Sequence, residues 1–242
     1  MIREDLKKYI VENIFPLYKE NDLGHNIVHI KEVIRRCFVL NETFCLNLDE
    51  NMMYAIASYH DLGKHLDHEH HHLIAGKLFY EDENMKKFFD DEQRQIIREA
   101  IEDHRSSKED SPRSIYGKLV SSADRNTSID IVFIRSFFVA HERMPEENIE
   151  DYLDYTIKRL SKKYSEENPE NMFFEDDVYK NFLVEMRSLL KDPDKFKKEY
   201  CRVNKIKSRN SKVRDEKGRI DLVEHGSNFT DFEKKESVWF IK

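Results

Sequence analysis

The sequence has few of the residues that interrupt helices. Only 6 of its 242 residues are glycine and only 5 are proline. Folds with many short strands need such residues at their turns, so this scarcity disfavours all-β architectures and favours long helices. A chain of this length suits one large or two small domains and can bury a core.

Paired cysteines and targeting segments are also missing. The three cysteines have no C-x-x-C spacing and are odd in number, which is typical of reduced thiols in a cytoplasmic protein. The N-terminus mixes charges of both signs without an apolar stretch, so we expect no secretory signal. The most apolar segment, 129–140, is interrupted by Asp130 and Arg135, so we expect no membrane-spanning helix.

The chain has no basic excess. It carries 41 Lys and Arg residues against 48 Asp and Glu residues, a formal charge of −7. A dedicated nucleic-acid-binding domain is normally strongly basic. The composition therefore argues against nucleic acid as a partner and leaves the oligomeric state open.

Apolar residues recur at helical spacing up to about residue 203. No earlier segment shows the alternation of a strand bounded by hairpin turns, so the predicted fold is all-α. The helices are expected over residues 2–19, 26–44, 49–60, 90–104, 114–126, 127–142, 147–164 and 174–190. Cap patterns predict starts at Asp49, at Asp90 with Gln93, at Ser111-Pro112 and at Asp192-Pro193.

Composition changes after Val203, because residues 205–219 hold seven basic and two acidic residues. We expect a helical domain over 1–203, with a core at about 20–140 and a helical extension at about 145–203, followed by a charged tail at 204–242. A solvated, partly flexible tail whose end packs back as a short strand is one interpretation. A segment that contacts a polyanion or docks a partner is the other.

Histidine is abundant: there are 11, and seven of them lie between His60 and His104. The segment 59–64, Tyr-His-Asp-Leu-Gly-Lys, places an imidazole beside a carboxylate at the end of an apolar helix. These two ligand types suit a divalent transition metal. Gly63 allows the chain to turn, and Lys64 can then reach an anionic group near the metal.

Other segments offer partners for this pair. His25 and His29 are spaced i and i+4 at the start of a helix and can project on one face. His104 follows the same periodicity as the buried isoleucines of its helix. Asp124 ends an apolar run, where a carboxylate is costly unless it is paired or bound to a cation.

The order His29, His60-Asp61 and Asp124 resembles the HD-domain superfamily of metal-dependent phosphohydrolases, over roughly residues 20–140. The resemblance implies an HD-domain-like helical bundle of about five core helices, with additional helices on the C-terminal side. It also implies that His29, His60, Asp61 and Asp124 bind one metal ion.

Binuclear members of the superfamily add two histidines. By resemblance these are His72, four residues before Gly76, and His104, with Asp61 bridging two ions. His70, His71 and His72 are consecutive, and His71 is the substitute for His72 if the register differs. The resemblance favours two ions over one and names Mn, Fe, Ni, Co or Zn as candidates, with or without Mg.

The expected reaction is hydrolysis of a phosphate ester or anhydride of a small phosphorylated molecule such as a nucleotide. Asp61 and Lys64 are the candidate catalytic residues, and His25, Arg105 and Arg125 are candidate substrate contacts. A noncatalytic nucleotide-sensing module and a binuclear iron oxygenase on the same scaffold are alternatives.

Overall fold

The computed structural model describes residues 1–21, 25–105, 110–144, 148–166 and 172–204. Within these ranges the regular secondary structure is helical and contains no β-strand, which confirms the all-α prediction. The α-helices of these ranges are α1 (Glu4–Tyr9), α2 (Ile27–Thr43), α3 (Glu50–Tyr59), α4 (His71–Glu81), α5 (Asp91–Asp103), α6 (Ile115–Ala123), α7 (Ile129–Arg143), α8 (Ile149–Tyr164), α9 (Asp177–Leu190) and α10 (Pro193–Val203).

The chain forms two compact units. Among the described residues, the first comprises 1–125 with 172–176, and the second comprises 126–166 with 177–204. The expected division into a domain at 1–203 and a tail at 204–242 stays a prediction, because everything after Asn204 lies outside the described residues. None of the described helices has the length and the apolar character needed to cross a bilayer.

In the first unit, α3 is the central helix. Every residue from Met52 to Tyr59 is buried, which is the pattern of a helix that is surrounded by others. Helix α2 packs against α3 and α6, while α5 packs against α3, α4 and α6. This arrangement brings the C-terminal ends of α3, α5 and α6 into one unit with the first turns of α2 and α4.

Three of the predicted helix starts are confirmed. The Asp49 side chain caps α3 by accepting from the backbone N–H groups of Asn51 and Met52. Asp90 and Gln93 form the reciprocal capping box at the start of α5. At α10 the Asp192 side chain accepts from the backbone N–H of Lys195, and a proline follows it. These starts were predictable because each signal is local in sequence.

The start predicted at Ser111-Pro112 is wrong. Helix α6 is capped by Ser114, whose hydroxyl oxygen accepts from the backbone N–H of Gly117 at 3.2 Å. The backbone N–H of Arg113 instead donates to the buried Asp103 carboxylate at 2.8 Å. Because this bond ties the chain to the end of α5, the helix begins only after it.

The helix predicted over residues 2–19 is helical with a changing hydrogen-bond pattern. After α1 the chain widens into a π-helical turn at Ile10–Ile14 and then tightens into a 3₁₀ segment at Phe15–Glu20. Pro16 has no backbone N–H and its ring crowds the preceding turn, which explains why the regular α pattern does not continue.

The second unit contains α7 to α10, with an aromatic core. The ring of Phe133 lies 4.8 Å from that of Phe196 and 5.5 Å from that of Tyr200. Tyr164 meets Phe182 at 5.3 Å between centroids. Edge-to-face contacts of this kind add to the free energy of burying large rings.

Candidate metal centre

The predicted site residues lie at helix ends. His60, His104 and Asp124 directly follow α3, α5 and α6, and His29 stands in the first turn of α2. The free carbonyl groups at a helix C-terminus carry partial negative charge. Three helix C-termini therefore favour a positive charge at this place.

Asp61 occupies the middle of the cluster, and its two carboxylate oxygens face different histidines. Its Oδ2 lies 3.5 Å from Nε2 of His29 and 3.5 Å from Nε2 of His60. Its Oδ1 lies 3.2 Å from Nε2 of His71 and 3.6 Å from Nε2 of His104. A carboxylate placed in this way can bind one cation on each side.

Backbone carbonyls fix the tautomers of the buried rings. In three histidines Nδ1 lies within hydrogen-bond distance of a carbonyl oxygen: His60 with Ala57 at 2.8 Å, His71 with His68 at 2.9 Å and His104 with Ile101 at 2.7 Å. Because a carbonyl only accepts, each Nδ1 carries the proton and donates it. The neutral ring then presents a lone pair at Nε2, which is the form that ligates metals.

The lone pairs of His71 and His104 face each other. Their Nε2 atoms are 3.2 Å apart, and both also point at Oδ1 of Asp61. Three acceptors this close repel one another unless a cation lies among them. A tetrahedral metal with bonds of about 2.0–2.1 Å separates its ligand atoms by about 3.3–3.4 Å, which is close to the 3.2 Å between the two Nε2 atoms.

Among the described residues, two groups have ligand atoms that all lie within 4.8 Å of one another: His29, His60 and Asp61, and Asp61, His71 and His104. In addition, Nε2 of His60 and Oδ1 of Asp61 are buried and have no hydrogen-bond partner in the described part of the chain. A buried polar atom without a partner is costly. The donor set therefore fits one or two divalent cations with nitrogen and oxygen ligands.

Protonation states agree with this assignment. Burial lowers the pKa of His60 to about 4, so its ring is neutral near neutral pH. Burial raises the pKa of Asp61, but the surrounding imidazoles and the positive charge of Lys64 outweigh this effect and leave the pKa well below its usual value. Neutral imidazole and ionised carboxylate are the forms that bind metals.

Asp124 joins the first group on its more open side. Its Oδ1 lies 3.0 Å from Nε2 of His29 and 3.9 Å from Nε2 of His60. Burial raises the pKa of Asp124, but the hydrogen bond from His29 and the other imidazole beside it lower this pKa by more, so the net value lies below the ordinary one. This carboxylate is therefore ionised beside the two rings.

The structure places His71 in the second group, where the His-x-x-x-Gly spacing predicts His72. Helix α4 begins at His71, and successive helical residues point about 100° apart. His71 is buried and faces Asp61, whereas His72 is only partly buried and belongs to neither group. We therefore replace His72 by His71 in the candidate ligand set.

The remaining predicted residues surround the cluster. Nζ of Lys64 lies 3.6 Å from Oδ1 of Asp61, and this lysine side chain is only 11% exposed. The His25 ring lies 5.8 Å from the His29 ring. Arg105 donates from Nη1 to the Glu69 carbonyl, in the loop before α4, and Arg125 follows Asp124 and is largely buried. Of the four, Lys64 comes closest to the ligand atoms in the described contacts.

Comparison with known proteins adds one match. The family model of the HD domain matches residues 26–128, a range that contains both ligand groups. No curated protein and no solved structure matches the chain.

Proposed function

We propose that this chain, which belongs to the HD-domain superfamily of metal-dependent phosphohydrolases, hydrolyses a phosphate ester or anhydride with metal-activated water. The observation that carries the proposal is the convergence of Nε2 of His71, Nε2 of His104 and Oδ1 of Asp61 within 3.2–3.6 Å. A second set of ligand atoms on the opposite oxygen of Asp61 supports a binuclear rather than a mononuclear centre.

In this proposal His29, His60, Asp61 and Asp124 hold one ion, and Asp61, His71 and His104 hold the other. The candidate metals are Mn, Fe, Ni, Co or Zn, with or without Mg. Bound ions of this class lower the pKa of water and neutralise phosphoryl oxygens. Asp61 would bridge the two sets and stays ionised, because the charge of Lys64, 3.6 Å from its Oδ1, favours the ionised carboxylate.

The protein's own cations act on the substrate. Lys64 is held beside Asp61 and supplies positive charge where a phosphoryl group gains negative charge in the transition state. His25, Arg105 and Arg125 are proposed to bind the rest of the phosphorylated substrate. A small phosphorylated molecule such as a nucleotide suits this set better than a nucleic acid, since the chain has a net charge of −7.

We assign the reaction to the cytoplasm. Cys37 and Cys45 form no disulfide in the described part of the chain, which suits a reducing compartment.

The test is a panel of phosphomonoesters, phosphodiesters and nucleotides, assayed without oxygen after metal-free protein has been reloaded with each candidate metal. We expect phosphate release or ester cleavage with at least one metal, and its loss in Asp61→Ala. Asp91→Ala is the matched control, because this carboxylate has a 95% exposed side chain and lies in the same unit.

Three outcomes would contradict the proposal. Turnover that needs oxygen and redox-active iron would identify an oxygenase. Tight nucleotide binding without turnover under any metal would identify a sensing module. Full activity and metal content in Asp61→Ala would refute the site itself.

A further inference from the structure

The turn that carries Asp61 is bound by side chains that lie outside residues 26–128, the range matched by the HD-domain family model. The last carbonyl groups of a helix have no partner within the helix. At the end of α3, the buried hydroxyl of Tyr18 donates to the Ser58 carbonyl at 2.9 Å, and the side-chain amide of Asn21 donates to the Asp61 carbonyl at 3.0 Å. Both residues precede the HD-domain match, which begins at residue 26.

Asn21 also forms hydrogen bonds with His25 and His65, which lie four residues from the candidate ligands His29 and Asp61 along the chain. Its Nδ2 donates to the carbonyl of His25 at 3.2 Å, directly before the helix that carries His29. Its Oδ1 accepts from the backbone N–H of His65 at 3.1 Å and lies 3.1 Å from Nδ1 of the same residue. One largely buried amide therefore joins the entrance of α2 to the turn after α3.

These bonds restrain the backbone of Asp61 itself. The Asp61 carbonyl accepts a second bond, from the backbone N–H of Lys64 at 3.1 Å, so two donors fix its direction. The orientation of that peptide sets where the Asp61 side chain points relative to the rings of His29 and His60. A residue that fixes it acts on the ligand geometry without touching the ligand atoms.

We propose that Asn21 is a positioning residue of the metal centre, which orients Asp61 and His29 toward a common ion. The inference rests on the metal-binding part of the proposed function and extends the centre to the N-terminal segment. It assigns Asn21 a role beyond stability: its loss should weaken and distort metal binding in protein that remains folded.

Two variants separate the bonds of Asn21. Asn21→Leu has nearly the same size but makes none of its hydrogen bonds. Asn21→Asp retains the acceptor for His65 and replaces the donor to the carbonyls of His25 and Asp61. The matched control is Asn41→Leu, because Asn41 is also in the first unit and its side chain accepts from the backbone N–H of Leu48 at 3.0 Å, at the far end of α2.

The measurements are the dissociation constants of Zn²⁺ and Co²⁺ by chelator competition and the visible absorption spectrum of the Co²⁺ form. Loss of groups that orient metal ligands typically costs about 10- to 100-fold in affinity. We expect both Asn21 variants to bind about tenfold more weakly or worse, with an altered Co²⁺ spectrum. Asn41→Leu should keep the wild-type values, although its free energy of unfolding falls.

Wild-type affinity and spectrum in both Asn21 variants would overturn this inference alone. If Asn21→Leu does not fold, Asn21→Asp decides by the same criterion. If neither variant folds, Asn21 is a stability residue and the inference is also overturned. Wild-type protein that binds no metal would overturn the proposed function as well, so the two failures are distinguishable.

Discussion

At the scale of single residues, the bonds made by Nδ1 of His60, His71 and His104 decide what the centre can do. Each ring donates to a carbonyl at the end of its own helix or in the loop before it. This leaves Nε2 as an acceptor that faces other acceptors. Nothing in the sequence specifies those tautomers, because they depend on the carbonyls that the fold places beside each ring.

We expect His71→Ala to lose one of two bound metal equivalents while His72→Ala keeps both. Nε2 of His71 lies beside Asp61 and His104, and neighbouring helical residues cannot face the same point. Plasma emission spectrometry of protein reloaded with Zn²⁺ or Mn²⁺ measures the difference. The reverse result, with His72→Ala losing an equivalent, would return the assignment to His72.

The choice between His71 and His72 was not predictable from spacing. Three consecutive histidines precede the apolar part of α4, and His70, which precedes the helix, makes no side-chain cap bond. Without a local start signal, the sequence does not determine at which histidine the helix begins, so the residue that faces Asp61 is uncertain by one position. By contrast, His29, His60, Asp61, His104 and Asp124 come together in the structure as the sequence order predicts, and their ligand roles stay proposals.

At the scale of elements, close approach of α4 and α5 sets the distance between His71 and His104. A Cβ added at Gly76 on α4 would lie 2.7 Å from Cγ of Glu102 and 3.3 Å from the Arg98 carbonyl. The Glu102 side chain cannot move away easily, since it is bound by Arg98 at 2.8 Å and Arg113 at 2.8 Å. Only glycine allows the two helices to lie this close.

Gly76→Ala should therefore destabilise the protein by about 1–3 kcal/mol, the usual cost of overpacking, and weaken metal binding. Chemical denaturation of metal-free protein measures the first effect, and chelator competition measures the second. The control is Lys77→Ala, whose side chain is 69% exposed; it should change the free energy of unfolding by less than about 0.5 kcal/mol. An unchanged Gly76→Ala variant would show that the helices are not in tight contact here.

A buried ion pair ties a distant segment to α2. Arg36 on α2 and Asp176 are 2% and 6% exposed, and Nη2 of Arg36 donates to the Asp176 carboxylate. Asp176→Ala leaves a buried arginine without this partner. We expect a loss of about 3–5 kcal/mol in the free energy of unfolding, measured by urea denaturation.

The double variant Arg36→Met with Asp176→Leu provides the control for this pair. It removes both charges, so it should recover part of the lost stability. If Asp176→Ala costs less than about 1 kcal/mol, the pair is not a buried structural contact.

At this scale, cap patterns in the sequence predict helix starts correctly where the cap contacts only residues close to it in the chain. Asp49, Asp90 with Gln93, and Asp192 each cap the helix that the pattern indicates, because a cap bonds to residues two or three positions away. Ser111-Pro112 fails because Arg113 is bound by Asp103, ten residues earlier in the chain. A contact between residues ten positions apart competes with the local cap pattern, and the cap pattern alone does not reveal such a contact.

At the scale of the whole molecule, metal binding and folding are linked. An ion that binds the folded protein and not the unfolded chain stabilises it by mass action, by about 2.7 kcal/mol at a free concentration of 100 times Kd. We expect the melting temperature to rise with added metal and to fall with a chelator. Asp61→Ala should respond to neither, and an equal response in wild type and Asp61→Ala would place the stabilising ion elsewhere.

The all-α class was predictable from composition and periodicity, since few glycines and prolines and continuous helical spacing leave little alternative. The proposed role of Asn21 was not predictable from the sequence, because a single asparagine before the first histidine belongs to no recognisable motif. Its partners, His25, Asp61 and His65, become neighbours only when the N-terminal segment packs beneath the turn.

The central claim is that Asp61 joins two metal sites. Anomalous diffraction from crystals of Zn²⁺- or Mn²⁺-loaded protein tests it most directly. The account predicts two peaks, one among His29, His60, Asp61 and Asp124 and the other among Asp61, His71 and His104. A loaded crystal with no peak beside Asp61, or with peaks only on the exposed histidines of residues 65–70, would contradict it.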